Sequence, residues 1–270
     1  MQFPIVNTLT RAHKRPRVAM VLRYRKPTIV DRLFGLLMWY IEKGGGLLKL
    51  LYLVSGNGGN IKFINQCIAA NIISNIELCA IGDRQCGAIE YAKKKGIETY
   101  TITYSRDNNA VLMRLLIQID ADYIITNFHK ILDSEIVKRF YGKLINLHYS
   151  LLPAFAGYIG EQTIREAINK GCKFIGSTVH YVDCEVDAGE IIIQGIIKNE
   201  GTMQEIITKV FRMGCLSLLN TLIGKDPGIL TNNEVLNEHA NYFEPYMFSP
   251  NIEFDISKFD ENFWGAVRQE

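Results

Sequence analysis

Three groups of residues in this sequence have types and spacing that could do chemistry. Asn146-Leu147-His148 sets an amide and an imidazole two positions apart. In an extended chain such residues point to one side, so both would face the same space. The pair could bind a ligand at the end of a strand, or it could cap backbone groups there. Val186-Asp187-Ala188-Gly189 places a carboxylate in a short loop, where Asp and Gly are also favoured for backbone reasons alone. Ser55-Gly56-Asn57-Gly58-Gly59-Asn60 is glycine-rich and runs straight into helical spacing. Successive N–H groups in such a turn, with the positive end of a helix behind them, can cradle an anion. The same glycines could serve a tight turn with no ligand. The loop lacks the Gly-Lys-Ser/Thr ending of a Walker loop and is not the dinucleotide GxGxxG pattern.

The elements that must position these groups are legible as hydrophobic runs. Residues 47–54 form an apolar run of strand length, followed by the glycine loop and by helical spacing over 61–70. Strands are then expected at 76–81, 98–104, 122–127 and 144–147, with helices at 86–95, 110–119 and 134–141. This alternation predicts a parallel sheet with helices on both faces. His148 then stands at the carboxyl end of a parallel strand, where open α/β sheets place their ligands. Residues 176–182 and 190–198 read as two strands with no helix between them, so an antiparallel edge is expected. A long amphipathic helix follows at 203–222, and beyond Pro227 the pattern fades into an aromatic-rich tail. Ahead of the glycine unit, a strand is expected at 17–22 and an apolar helix at 31–43, stopped by Gly44-Gly45-Gly46.

Bulk properties narrow the function classes. The 270 residues are 48% hydrophobic and 21% charged, with a net charge of +2; that balance fits a globular protein and argues against a dedicated nucleic-acid binder. The first thirty residues are basic, with no acidic residue before Asp31. The six cysteines show neither metal-ligand spacing nor a disulfide framework, which points to the cytoplasm and to no metal. The apolar run 33–41 is shorter than the roughly 20 residues needed to span a bilayer, so no membrane is expected.

Order and spacing together carry more than the separate groups. The chain resembles the folate-dependent formyltransferase family, and within it the glycinamide ribonucleotide transformylase branch. The matching pieces run from Leu47 to about Leu222: SGNGGN, the segment Phe128-His129-Lys130-Ile131-Leu132, the block INLHYSLLPAFAG at 145–157, and STVHYVDCEVDAGEIIIQ at 177–194. The resemblance implies a Rossmann-like formyltransferase domain over 47–226, with an N-terminal extension at 1–46 and a C-terminal tail at 227–270. It implies catalytic roles for Asn146, His148 and Asp187, and 10-formyltetrahydrofolate as co-substrate. Folate contacts would fall at Ile131, Leu132, Cys184, Glu185 and Val186. Contacts to an acceptor phosphate would fall at Gly56, Asn57, Gly58, Gly59 and Asn60. These residue types suit the reaction. An amine attacks the formyl carbon, and His148 with Asn146 can stabilise the charge that develops on oxygen. Asp187 can hold His148 and relay a proton through water. His180 reads as a packed histidine that supports the site.

Departures from the branch bear on the acceptor. The 46 leading residues and the aromatic tail are extra, and Phe211-Arg212-Met213-Gly214 supplies no carboxylate where the branch holds the ribose. Three readings follow: formyl transfer to glycinamide ribonucleotide in purine biosynthesis or to a related acceptor; formyl transfer to a nucleotide-linked amino sugar; and hydrolysis of 10-formyltetrahydrofolate. The tail is expected to pack near residues 17–22, on its own domain or on a second subunit as a homodimer, because exposed aromatic patches mark interfaces.

Overall fold

The computed structural model describes residues 47–230 and 245–269. The elements expected at 17–22 and 31–43 lie outside the described residues, as does any contact between them and the tail.

The first half is a succession of strand–helix units. They are β1 (Leu48–Val54), α1 (Gly59–Ala69), β2 (Ile76–Gly82), α2 (Gly87–Lys94), β3 (Glu98–Thr101), α3 (Ala110–Ile119), β4 (Tyr123–Asn127), α4 (Ser134–Arg139) and β5 (Leu144–His148). These five strands pair in parallel in the order β3-β2-β1-β4-β5. β1 reads as an unbroken apolar run because both of its faces are covered. Leu50, Tyr52 and Val54 enter the core under α1 and α2, while Leu51 and Leu53 enter the core under α3 and α4. Chain order reverses direction at β1, between β2 and β4. That switch opens a crevice beyond the carboxyl ends of the strands.

The second half turns antiparallel. After α5 (Glu161–Asn169), β6 (Phe174–Tyr181) pairs antiparallel with β5, and β7 (Ile191–Lys198) pairs antiparallel with β6. The antiparallel edge follows the expectation, whereas α5 falls in a stretch where no helix was read. Thr163, Ile164 and Ala167 of α5 are buried at helical spacing, a narrow stripe in a segment that is otherwise polar. α6 (Met203–Lys225) opens with a Thr202–Glu205 capping box, which satisfies its first donors. Its length and apolar composition would suit a membrane span, yet most of it is buried against β6 and β7.

The tail packs back on the domain. β8 (Met247–Ser249) adds an eighth strand beside β7, and α7 (Glu261–Gln269) lies on α1. Phe63 of α1 is the centre of this contact. The Phe259 ring stacks against it at 5.9 Å and the Trp264 ring at 5.4 Å, and the Phe263 edge meets it at 5.9 Å. Each ring so buried contributes roughly 2–3 kcal/mol by removal from water. Aromatic composition thus points to a buried segment, and Phe263, Trp264 and Val267 lie at helical spacing within it.

Candidate active site

β5 delivers the amide and the imidazole. Asn146 and His148 share the face of β5 that ends at the crevice, and His148 is buried. Antiparallel register then supplies their neighbours: Asn146 lies opposite His180, and His148 lies opposite Thr178. Side chains directly opposite in such a pair are within reach of one another. The Asn146 Nδ2 lies 3.1 Å from His180 Nε2, and His180 Nδ1 lies 2.8 Å from the Tyr181 carbonyl. The carbonyl requires the His180 proton on Nδ1, which leaves Nε2 to accept from Asn146. Burial pushes the His180 pKa below its ordinary value, in keeping with a neutral ring. From the other side, the Thr126 hydroxyl on β4 reaches Asn146 Oδ1 at 3.2 Å. With its oxygen and one N–H engaged, the Asn146 amide is fixed in orientation. Its second N–H remains available to a ligand.

Asp187 returns to this strand end from the loop between β6 and β7. It holds a left-handed backbone at φ 55°, which Asp tolerates better than most residues. One carboxylate oxygen, Oδ2, lies 3.4 Å from His148 Nδ1 and accepts the Gly157 N–H at 2.8 Å. The other, Oδ1, lies 3.7 Å from His180 Nε2. Because that nitrogen already serves as the acceptor for Asn146, we treat this approach as proximity rather than an ion pair. His148 Nε2 lies 3.1 Å from the Phe155 carbonyl. Each His148 nitrogen therefore has an oxygen acceptor within reach. The Ser150–Ala154 turn that leads into Phe155 is tied to β6, since Thr178 donates to the Ser150 carbonyl and accepts the Leu152 N–H.

The glycine loop closes the near end of the same crevice. Gly58 adopts φ 72° and caps α1 without a side chain, so the N–H groups of Gly59, Asn60 and Ile61 have no partner within the helix. Gly56, Gly58, Gly59 and Asn60 line the cleft. The side chain of Asn60 turns inward, donating to Asn127 Oδ1 at 3.2 Å and accepting from Tyr149. Any contact it makes in the cleft is therefore through backbone. Asn57 is exposed, and its side chain stands over Gly87, away from the lining.

At the far end, Ile131, Leu132, Cys184, Glu185 and Val186 all line the cleft. Leu132 is buried with Val137, while Ile131 and Val186 are exposed. The cleft holds about 460 Å³, the size of a small-molecule site. Its middle contains Asn146, His148 and Asp187, so the structure brings the three separate sequence groups together. Thr126, the Phe155 carbonyl and the Gly157 N–H join them from positions that sequence reasoning passed over. No spacing rule links them to β5. Among the described residues, no cluster of three or more His, Cys, Asp or Glu is placed to hold a metal.

Known proteins share this arrangement of the chain. Residues 48–218 match the family described as Formyl transferase. The chain is 30% identical to phosphoribosylglycinamide formyltransferase of Escherichia coli over 154 residues, covering 54% of this chain and 71% of that one. It is 27% identical to the chloroplastic phosphoribosylglycinamide formyltransferase of Vigna unguiculata over 173 residues, covering 60% of this chain and 55% of the relative. The chain thus spans about half the length of that plant relative. Among solved structures, phosphoribosylglycinamide formyltransferase of Coxiella burnetii in complex with CHES superposes with a TM-score of 0.60 at 28% identity, over 67% of this chain and 88% of that one. A formyltetrahydrofolate deformylase from Pseudomonas syringae, 22% identical over 66% of this chain and 61% of its own with a TM-score of 0.58, shares the fold. With well over half of its length matched from the first described strand into α6, this chain belongs to the formyl transferase family.

Proposed function

We propose that the protein transfers a formyl group from 10-formyltetrahydrofolate to the amine of a phosphate-bearing acceptor, with glycinamide ribonucleotide the first candidate. The observation that carries this reading is the convergence of Asn146, His148 and Asp187 midway along one cleft. The glycine loop closes one end of that cleft and an apolar wall lines the other. The wall of Leu132, Ile131 and Val186, with the polar backbone of residues 183–187 beside it, suits a flat heterocycle with polar edges. The unpartnered N–H groups of α1 suit a phosphate. The folate co-substrate supplies the formyl carbon as an electrophile.

The chain's own residues then divide the work. The free N–H of Asn146 and a His148 N–H donate to the formyl oxygen as it gains charge. The Phe155 carbonyl faces His148 Nε2, so donation from that nitrogen exchanges one oxygen acceptor for another. The acceptor nitrogen bonds to the formyl carbon and the bond from that carbon to the folate nitrogen breaks. Asp187, through water, removes the proton that the new amide must lose, and a proton passes to the departing folate nitrogen. His180 and Thr126 hold the Asn146 amide in place without touching the reacting atoms.

A screen of candidate amines with 10-formyltetrahydrofolate, read by tetrahydrofolate release and product mass, tests the assignment. A formylated phosphate-bearing amine is the expected result. Tetrahydrofolate and formate released at full rate without any amine would make the protein a hydrolase instead.

A further inference from the structure

The first turn of α1 opens on glycines, and its side-chain anchors are Asn60, bonded to Asn127 and Tyr149, and the buried Ile61. Gly58 and Gly59 give it freedom that other residues lack, and no side-chain cap holds it. At Gly58 and Gly59 the position of the turn comes from what packs around it. On one side is Ala88 of α2, whose Cβ stands 2.6 Å from where a Cβ on Gly58 would be. On the other is Phe211 of α6, whose ring edge stands 2.7 Å from where a Cβ on Gly59 would be. Phe211 also lines the cleft, so it is both a support and a wall.

The tail supports Phe211 from behind. The Trp264 ring meets Phe211 edge-on at 6.3 Å and stacks on Phe63, one helical turn beyond Gly59, at an interplanar angle of 12°. The next residue on α6, Arg212, sets its guanidinium over the Trp264 ring at 5.2 Å. Glu261 at the start of α7 grips the same guanidinium with two bonds, at 2.5 and 2.7 Å. A paired fork of this kind fixes direction as well as distance. α7 is thus joined to α1 itself and to α6, the helix whose Phe211 stands against Gly59.

We infer that Trp264 and Glu261 are positioning residues for the anion-binding end of the cleft, acting through Phe211 on the first turn of α1. The tail is then a working part of acceptor recognition. The inference rests on the reading that this turn receives the acceptor phosphate.

The test uses the full chain and two probes, inorganic phosphate for the near end and tetrahydrofolate for the far end, titrated by calorimetry. Trp264→Ala is expected to weaken phosphate at least about fivefold while changing tetrahydrofolate affinity by less than about twofold. Trp264→Phe, which keeps a ring against Phe63, should restore most of the phosphate affinity. Glu261→Gln alters a largely exposed side chain at the surface of the contact, and should weaken phosphate in the same direction by less. Equal losses for both probes, or no loss in Trp264→Ala and Glu261→Gln, would overturn the inference. Gly58→Val separates the two ideas. If it abolishes phosphate binding while the tail variants do nothing, only the role of the tail falls. If wild-type protein binds phosphate no better than Gly58→Val, the reading of the loop falls and the role of the tail with it.

Discussion

The centre of the cleft and its near end are built by different means. The centre is made of side chains: Asn146, His148 and Asp187, each held by identifiable hydrogen bonds. The near end is made of backbone, a turn whose glycines leave N–H groups bare and whose neighbours stand too close for a Cβ at Gly58 and Gly59. Side-chain chemistry should therefore fail when a functional group is lost, with the fold unchanged. Backbone chemistry should fail when a group is added.

The largest effect is expected at the centre. His148→Ala should lower turnover at least about a hundredfold in folded protein, the usual cost of losing a donor to a developing oxyanion. Asp187→Asn should do the same; Asn tolerates the left-handed backbone, so the variant removes charge and spares geometry. Near-normal kcat in either purified variant would dissolve the contrast, because the centre would then not depend on its side chains.

A second pair of substitutions sharpens the near end. At Gly58 a Cβ would meet Ala88 at 2.6 Å and the backbone has positive φ, whereas at Gly56 a Cβ meets nothing within 4 Å. Gly58→Val should raise the acceptor KM at least about tenfold with little change in the folate KM, since binding energy lost at one end appears in that substrate. Gly56→Ala should have a much smaller effect and leave thermal stability intact. A rise in the folate KM instead would reassign the loop to the other substrate.

The smallest effect concerns His180 and pH. Burial depresses its folded pKa below 6.5, so below about pH 6.5 the unfolded chain binds a proton that the native ring resists. More protons on the unfolded state means that stability falls as pH falls through the unfolded pKa. The Tm of wild type should therefore drop between about pH 7 and 5, and His180→Gln should drop less over the same range. Parallel Tm profiles would remove His180 from the neutral, accepting role assigned to it beside Asn146.

The parts of the fold that were legible share a physical cause. β1, β2, β4 and β5 are buried on both faces, so each appears as an apolar run bounded by turn residues. β3 was expected to run on to Tyr104 but ends at Thr101, because Tyr104 leaves the sheet to bond Asp133. Phe263, Trp264 and Val267 of α7 are buried at helical spacing, but this short stripe is hidden in the aromatic composition of the whole tail. β8 is three residues long and owes its conformation to the edge of β7.

Local sequence determined that Asn146 and His148 share a face, because like-facing side chains in a strand are only two positions apart. It also determined where the backbone could come close to an anion, because glycine alone combines positive φ with no Cβ. Tertiary structure decided everything that depends on which strands are neighbours. The β5–β6 register set His180 opposite Asn146, and the β6–β7 loop carried Asp187 back to His148. The tail reached Phe211 across some fifty residues of chain. Contacts of that kind arise from the packing of whole elements, and such packing leaves no fixed spacing in the chain.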